Sequence, residues 1–204
     1  MRRRWCGFRR LLGRTRRTAG ILSTLGGVAA TVGCLLCPGA ASAQQAFTPS
    51  STYLQAGTAH GTDTLTGGAA WDWGHQWALG PGRLSGYLEM WISQWRYERE
   101  RGLGTGHLTQ VGLTPVLHYR LGADSPWFVE GGVGLSFSSA LYQTQGKEFS
   151  TRLNFGTHLG GGRTFGSRRE HEVAVRIEHF SNAGVKHPNP GENFIQLRYA
   201  YRFK

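Results

Sequence analysis

Apolar and polar residues alternate with a period of two along most of the chain after Gln44, between short segments rich in glycine or polar residues. Side chains of a β-strand point alternately to opposite faces, whereas a helix repeats about every 3.6 residues, so this pattern predicts strands. Helical periodicity is hard to find in the same region. The fold class is therefore predicted to be all-β. The eight candidate strands are 52–60, 69–77, 83–97, 107–121, 127–137, 148–159, 170–180 and 193–203.

One face of these candidate strands is apolar and aromatic, and the other is small or polar. In segment 193–203, Ile195 and Leu197 share a face, while Gln196 and Arg198 take the other. A water-soluble sandwich also alternates, so alternation alone does not indicate a membrane protein. A transmembrane barrel also carries aromatic girdles at both membrane interfaces. The residues that fit such girdles are Trp71, Trp73, Trp77, Trp91, Trp95, Tyr199, Tyr201 and Phe203.

These features favour an eight-stranded antiparallel transmembrane β-barrel of the bacterial outer membrane over a soluble lipocalin-like barrel or sandwich. The polar faces would then line the interior, where arginine and glutamate pair with one another, and where we also expect His118 and His158. Eight strands enclose a space that side chains can fill, so no open pore is expected. Phe203, one residue from the end, resembles the aromatic terminal signature of bacterial outer-membrane proteins, displaced by Lys204.

The first 43 residues are typical of a secretory signal peptide. An arginine-rich stretch precedes an apolar segment at 21–37, which is followed by the small-residue site Ala41-Ser42-Ala43. A transmembrane anchor is the alternative, but the apolar segment is short and contains three glycines. We therefore expect a signal peptide at 1–43, export to the outer membrane, and a single barrel domain at 44–204.

The net charge of +11 on the whole chain suggests a nucleic-acid partner only until its distribution is considered. Residues 1–43 hold eight arginines and no acidic residue; removing these eight from the 23 basic residues leaves 15 against 12 acidic residues, a charge of +3. No nucleic-acid partner is predicted. All three cysteines, Cys6, Cys34 and Cys37, also lie in this leader, which excludes disulfides and thiol catalysis from the mature chain.

His179 and Ser181 are the candidate catalytic residues. Counting alternate positions from Val175 and Ile177 places both on the apolar face of their strand, which points toward lipid in a membrane barrel. A serine hydroxyl becomes a nucleophile when a nearby imidazole takes its proton. The alternative is that the strand ends near Phe180 and that both residues belong to a polar hairpin loop. Spacing alone favours this loop, since His-x-Ser is a weak pattern.

The segment His179-Phe180-Ser181-Asn182-Ala183-Gly184-Val185-Lys186, followed by Pro188-Asn189 and Gly191, resembles the C-terminal motif of the lipid A 3-O-deacylases, the PagL family. The resemblance implies an ester hydrolase on the outer surface of an outer-membrane barrel. Its substrate would be lipid A of lipopolysaccharide, from which it removes the ester-linked acyl chain at position 3. By the same resemblance Ser181 is the nucleophile, His179 is the general base and acid, and Asn182 assists the oxyanion.

The third member of the triad departs from the family pattern. Without gaps, the glutamate of the family falls on Asn193, and the nearby carboxylate is Glu192. Strict alternation from Ile195 points Asn193 outward and Glu192 inward. Either a bulge at Gly191 turns Glu192 toward His179, or Asn193 orients the imidazole as asparagine does in papain-like sites. We favour Glu192, because a carboxylate stabilises an imidazolium and an amide does so less well.

Other expectations concern metals, partners and the competing function. No spacing of histidines and carboxylates predicts a metal site, and serine chemistry needs neither metal nor cofactor. Outer-membrane lipids are expected to surround the barrel, and the sequence is compatible with a monomer and with a homodimer. The alternative function is a non-enzymatic small barrel for adhesion or envelope stability, in which the histidine–serine pair is incidental.

Overall fold

The computed structural model describes residues 48–100 and 103–203, and the predicted signal peptide at 1–43 lies outside these residues. In the described residues no helix is long and apolar enough to cross a membrane. The strands are β1 (Ser51–Ala59), β2 (Thr62–Leu79), β3 (Gly82–Glu98), β4 (Thr105–Arg120), β5 (Trp127–Ser138), β6 (Gln143–Thr144), β7 (Lys147–Glu148), β8 (Leu153–Phe165), β9 (His171–Ser181) and β10 (Glu192–Arg202).

Eight of these strands form a closed antiparallel barrel in the order β1-β10-β9-β8-β5-β4-β3-β2, which confirms the predicted fold class. The short strands β6 and β7 pair only with each other, in the segment between β5 and β8. Six of the predicted strands agree with the observed bounds to within two residues, and two differ by more. Strand β2 begins at Thr62 rather than at residue 69, because only Leu65 among its first outward residues, Asp63, Leu65 and Gly67, is large and apolar, so the alternation is weak there. The predicted strand 148–159 merges the end of β7 with β8, which runs to Phe165.

The barrel is apolar on the outside and polar on the inside. Along β9, every second residue from Glu172 to Phe180 is buried, and the residues between them are exposed or half-buried. This arrangement is the reverse of a water-soluble barrel and is the one that a lipid environment requires. The exposed apolar residues of the outer face include Leu54, Leu65, Met90, Ile92, Val111, Leu113, Leu117, Val133, Leu135, Val175, Ile177, Ile195 and Leu197.

Ion pairs fill the middle of the barrel. The Arg176 guanidinium lies 2.6 Å from Glu130 Oε1 and 3.0 Å from Glu89 Oε1, and Arg198 contacts the same Glu89 oxygen at 2.8 Å. The Tyr87 hydroxyl donates a 2.6 Å hydrogen bond to Glu130 Oε2. Buried charges are stable only when they are paired and hydrogen-bonded, so these residues hold β3, β5, β9 and β10 in one arrangement.

The aromatic residues divide between the inside and the outside of the barrel. Trp73 and Trp77 are exposed, as are Tyr199, Tyr201 and Phe203, which fits an interface girdle. The prediction that Trp91 and Trp95 belong to a girdle is wrong, because both are buried in the interior. Trp91 packs against Gly112 on the neighbouring strand, where any side chain would collide with the indole. Tryptophan on one strand and glycine on the next share the same interior space.

The two ends of the barrel differ in the length of their connections. We call the end where β1 begins and β10 ends the terminal end, and the opposite end the loop end. Segments 80–81, 121–126 and 166–170 connect strands at the terminal end, whereas the loop end carries the short turn 60–61 and the long segments 139–152 and 182–191. Outer-membrane barrels carry short turns on the periplasmic side and longer loops on the outside. The loop end therefore corresponds to the outer face of the membrane.

Candidate active site

His179 and Ser181 lie on the outer face of β9, at its last residues before the loop end. Val173, Val175 and Ile177 are exposed on the same face, and the intervening residues are buried. Strand β9 extends through Ser181, so the hairpin-loop alternative does not describe this chain. The prediction that both polar residues share the lipid-facing side is confirmed.

His179 is held from the neighbouring strand by Asn193. The two residues are paired across β9 and β10, and His179 Nδ1 lies 2.8 Å from Asn193 Oδ1. A carbonyl oxygen only accepts hydrogen bonds, so in this arrangement Nδ1 carries the proton and donates it. The lone pair of the neutral ring is then on Nε2, which is the tautomer that a general base needs.

We expected Glu192 to contact His179, but its side chain points into the barrel. Its carboxylate accepts a 2.9 Å hydrogen bond from the Tyr142 hydroxyl and lies 2.7 Å from Lys147 Nζ. Burial raises the pKa of the Tyr142 hydroxyl, which therefore remains a protonated donor. Alternation within β10 continues through Glu192, and no bulge reverses it. The structure thus corrects the orientation predicted for Glu192 and places Asn193 at the imidazole.

Gly191 forms a surface against which the His179 ring rests. A Cβ atom at Gly191 would lie 2.5 Å from His179 Cε1 and 3.1 Å from Nε2, so no larger residue fits there with the ring in place. Gly191 also has a φ of 66°, a conformation that favours glycine. The glycine that we considered as the origin of a bulge instead makes room for the imidazole.

Ser181 is half-buried, and its backbone is paired with Phe155 on β8. In the described part of the chain its Oγ atom has no hydrogen-bond partner. Residues two apart on a strand have Cα atoms about 7 Å apart, so the two side chains must lean together for a proton to pass. Hydrogen bonds between catalytic groups are often long before substrate binds, and this geometry is compatible with a nucleophile and its base.

Asn182 is buried and organises the loop that follows β9. Its Nδ2 donates to Ser150 Oγ at 3.0 Å and to the Lys186 carbonyl at 2.7 Å, while its Oδ1 accepts from the Gly184 N–H at 3.0 Å. The Asn182 N–H donates to Asn189 Oδ1 at 3.0 Å. Both amide hydrogens and the backbone N–H are thus engaged, by residues of the 182–191 loop and by Ser150 of segment 139–152. This geometry does not match the expected contact between Asn182 and an oxyanion.

Aromatic residues support the site from inside the barrel. Phe180, between His179 and Ser181, points inward and packs against Trp95 with ring centroids 5.2 Å apart. Phe194, next to Asn193, packs against the same indole at 4.7 Å. Because neighbouring residues of a strand point to opposite faces, fixing Phe180 and Phe194 inside also fixes the outward side chains.

Segment 139–152 contacts two residues near the site, and the sequence did not predict these contacts. Tyr142 and Lys147 hold Glu192, and Ser150 holds Asn182, although all three lie more than 30 residues from their partners in the chain. The segment has no regular periodicity, and its only strands are two residues long. No local signal in the sequence therefore indicates that it contacts the site.

An eight-stranded barrel with an apolar outer face and a histidine–serine pair on that face defines a class of protein: an outer-membrane β-barrel with a candidate hydrolase site directed at lipid. Within that class the chain belongs to the lipid A 3-O-deacylase (PagL) family, since residues 64–202 match the model of that family. The resemblance noted in the sequence is thereby confirmed.

Individual relatives agree with this assignment. A lipid A deacylase PagL of Bordetella bronchiseptica is 34% identical over 132 residues, covering 64% of this chain and 70% of that protein. A lipid A deacylase PagL of Pseudomonas aeruginosa is 34% identical over 134 residues, covering 65% and 73%. The crystal structure of the outer-membrane enzyme PagL matches 75% of this chain and 99% of its own, with a TM-score of 0.64 and 27% identity.

Proposed function

We propose that this protein is a serine esterase that removes the ester-linked 3-O-acyl chain of lipid A. The observation that carries the proposal is the outward-facing pair His179 and Ser181 at the loop end, with the imidazole bonded to Asn193. Side chains on the outer face of a transmembrane barrel meet lipid, so a nucleophile there acts on a membrane lipid. The names of the family and of its relatives supply the identity of that lipid.

The first half of the reaction forms an acyl-enzyme. Ser181 Oγ attacks the carbonyl carbon of the acyl ester, and His179 Nε2 takes the hydroxyl proton. The tetrahedral intermediate collapses by breaking the bond between the carbonyl carbon and the sugar oxygen. His179 gives its proton to that oxygen, which leaves as the sugar hydroxyl.

The second half releases the fatty acid. His179 takes a proton from water, the resulting hydroxide attacks the acyl-enzyme, and Ser181 leaves with the proton returned by His179. Asn193 Oδ1 accepts a hydrogen bond from His179 Nδ1–H throughout the reaction and holds the ring in the productive tautomer. An amide stabilises the imidazolium less than a carboxylate would, but it fixes the same orientation.

The position of the site suits a lipid with a charged head group. Lys186 and His187 are exposed in the 182–191 loop, beside the end of β9. Cationic side chains at a membrane surface attract anionic head groups, and lipid A carries phosphates. The acyl chain would then extend from Ser181 along the apolar face of the barrel, past Ile177 and Val175.

Mass spectrometry of lipid A tests the proposal. The full-length chain is expressed in a Gram-negative host whose lipid A carries the 3-O-acyl chain, and we expect a species lacking that chain. Ser181→Ala should leave lipid A intact, while Ser139→Ala, at an exposed serine of the same end, should behave as wild type. Continued deacylation by the Ser181→Ala barrel would refute the assignment of the nucleophile. An unchanged lipid A profile with the wild-type chain would favour the non-enzymatic barrel.

A further inference from the structure

Three potential metal ligands from distant parts of the chain meet inside the barrel near the terminal end. They are His118 on β4, Glu130 on β5 and Glu172 on β9, and they are 4%, 2% and 4% exposed. One ligand atom from each lies within 4.8 Å of the others. His118 and Glu130 are directly paired across β4 and β5, so the sheet itself fixes their proximity.

Two atoms of this cluster lack partners. His118 Nε2 and Glu172 Oε2 are buried and make no hydrogen bond to any described residue. Buried polar atoms are almost always satisfied, by protein, by water or by an ion. The nearest cation to Glu172 is Arg202, whose Nε lies 3.9 Å from Oε2, beyond hydrogen-bond length. The two unpaired atoms therefore retain the capacity to bind a ligand between these side chains.

Buried negative charge also exceeds buried positive charge in the described interior. Glu89 and Glu130 share Arg176 and Arg198, and Glu192 is paired with Lys147. Glu172 has only the half-buried Arg202, at 3.9 Å, and Glu178 forms no ion pair with a described residue. Burying an unpaired carboxylate is costly, and a divalent cation would neutralise it. The buried charged residues are Glu89, Glu130, Glu172, Glu178, Glu192, Arg176 and Arg198.

We propose that His118, Glu130 and Glu172 bind a divalent transition-metal ion of the zinc type. An imidazole with two carboxylates is a donor set that suits zinc better than magnesium or calcium. Zinc bonds of about 2.0–2.2 Å place tetrahedral ligands about 3.4 Å apart, so each distance between two of the three ligand atoms needs to shorten by at most about 1.4 Å. A water molecule completes the fourth position.

The surroundings provide outer hydrogen bonds and an entry path. Arg176 and Tyr87 each occupy one lone pair of a Glu130 oxygen, which orients the carboxylate and leaves further lone pairs for a metal. A cavity of about 300 Å³ reaches His118 and Glu172 from the terminal end, and its lining also includes the exposed Asp72 and the four arginines Arg120, Arg168, Arg169 and Arg202.

The role of this ion is structural rather than catalytic. Glu172 and Ser181 are nine residues apart on β9, a distance of about 30 Å along a strand. The ion would tie β4, β5 and β9 together at the terminal end, where the Arg176 network does not extend to Glu172. The ion takes no part in ester hydrolysis. The proposed metal site and the proposed deacylase activity can therefore be tested independently of each other.

Zinc binding to the purified barrel tests the site. The full-length chain is exported, extracted in detergent, stripped with a chelator that is then removed, and titrated with Zn²⁺ alone by calorimetry. We expect one ion per chain, with an affinity at least about a hundred-fold lower in His118→Gln and in Glu172→Gln. Only protein that shows the heat-modifiable gel mobility of a folded barrel is titrated. Glu172→Gln leaves the side-chain volume almost unchanged, so this variant is expected to fold.

His158→Gln is the matched control. His158 is also 4% exposed in the interior with an unpartnered Nε2, but it lies outside the cluster. We expect this variant to bind zinc as wild type does. The proposal is overturned if the wild type binds no zinc, if His118→Gln or Glu172→Gln binds it unchanged, or if His158→Gln loses as much affinity as they do.

Discussion

Asn193 Oδ1 lies 2.8 Å from His179 Nδ1, across the paired strands β9 and β10 on the outer face of the barrel. Glu192, the preceding residue, is buried on the other face and bonded to Lys147. A strand carries neighbouring side chains to opposite faces, so only one of the two can reach the imidazole. Position, rather than the stronger chemistry of a carboxylate, decides which residue holds His179.

Substitution of Asn193 tests this arrangement. In Asn193→Ala the imidazole loses its hydrogen-bond acceptor, and we expect kcat for deacylation to fall by about a hundred-fold through misorientation of the ring. Asn193→Asp places a carboxylate at the same distance and should retain kcat or raise it, because it stabilises the imidazolium. Kinetics with purified lipid A in detergent measure both effects. Wild-type kcat in Asn193→Ala would show that Asn193 does not orient the base.

Substitution of Gly191 tests the fit of the imidazole. Gly191→Ala would place its Cβ 2.5 Å from His179 Cε1, and we expect the ring to move and kcat to fall by about a hundred-fold. Gly184→Ala is the control, since Gly184 has a φ of 79° but nothing within 4 Å of the added Cβ. Equal losses of kcat in the two variants would mean that backbone strain, and not the clash, causes the effect.

Removal of the Asn182 side chain tests its role in the loop. Asn182→Ala removes the hydrogen bonds of this side chain to Ser150 Oγ, to the Lys186 carbonyl and from the Gly184 N–H, at a cost of about 0.5–1.5 kcal/mol each, while Ser150 Oγ still donates to the Lys186 carbonyl at 2.9 Å. We expect faster limited proteolysis within 182–191 together with lower kcat. A loop as resistant as wild type, combined with a fall in kcat, would instead favour a direct contact between Asn182 and the oxyanion.

A double-mutant cycle on Lys147 and Glu192 tests whether the 139–152 segment is held by this ion pair. Lys147 is 32% exposed, so solvent screens the pair, and we expect a coupling free energy of about 1 kcal/mol or less. The variants are Lys147→Met, Glu192→Gln and their combination, compared by thermal unfolding. Additive effects would show that the two residues are not coupled. Glu192→Gln should also lower kcat much less than Asn193→Ala does.

Neutralising Arg176 tests the interior ion pairs. Arg176→Met leaves Glu130 without an ion pair and weakens the pairing of Glu89, so we expect a loss of about 3–5 kcal/mol in stability. The measurement is the temperature at which the heat-modifiable gel band of the folded barrel is lost. Arg163→Met, at an exposed arginine over Trp127, is the control and should unfold near the wild-type temperature. Equal unfolding temperatures for both variants would contradict a stabilising role for Arg176.

Local alternation, together with the aromatic residues and the motif after His179, was sufficient to predict the barrel and the direction of its candidate nucleophile. A period of two is visible in one segment at a time, so Val175, Ile177, His179 and Ser181 could be assigned to one face without knowledge of their neighbours. The same assignment in every strand then gives the whole sheet an apolar outer face and a polar inner face. The motif after His179 identified the family for the same reason, since its residues are contiguous in the chain.

Contacts between strands and loops were decided only by the tertiary structure. The partner of Glu192 is Lys147, 45 residues away. Strict alternation already pointed Asn193 outward, but only the register of β9 and β10 places it opposite His179. The burial of Trp91 and Trp95 depends on space left by neighbouring strands. The local sequence determines which face of a strand each residue takes. Which residues meet on that face depends on the register of neighbouring strands and on the closure of the barrel, and no local sequence pattern reports either of these.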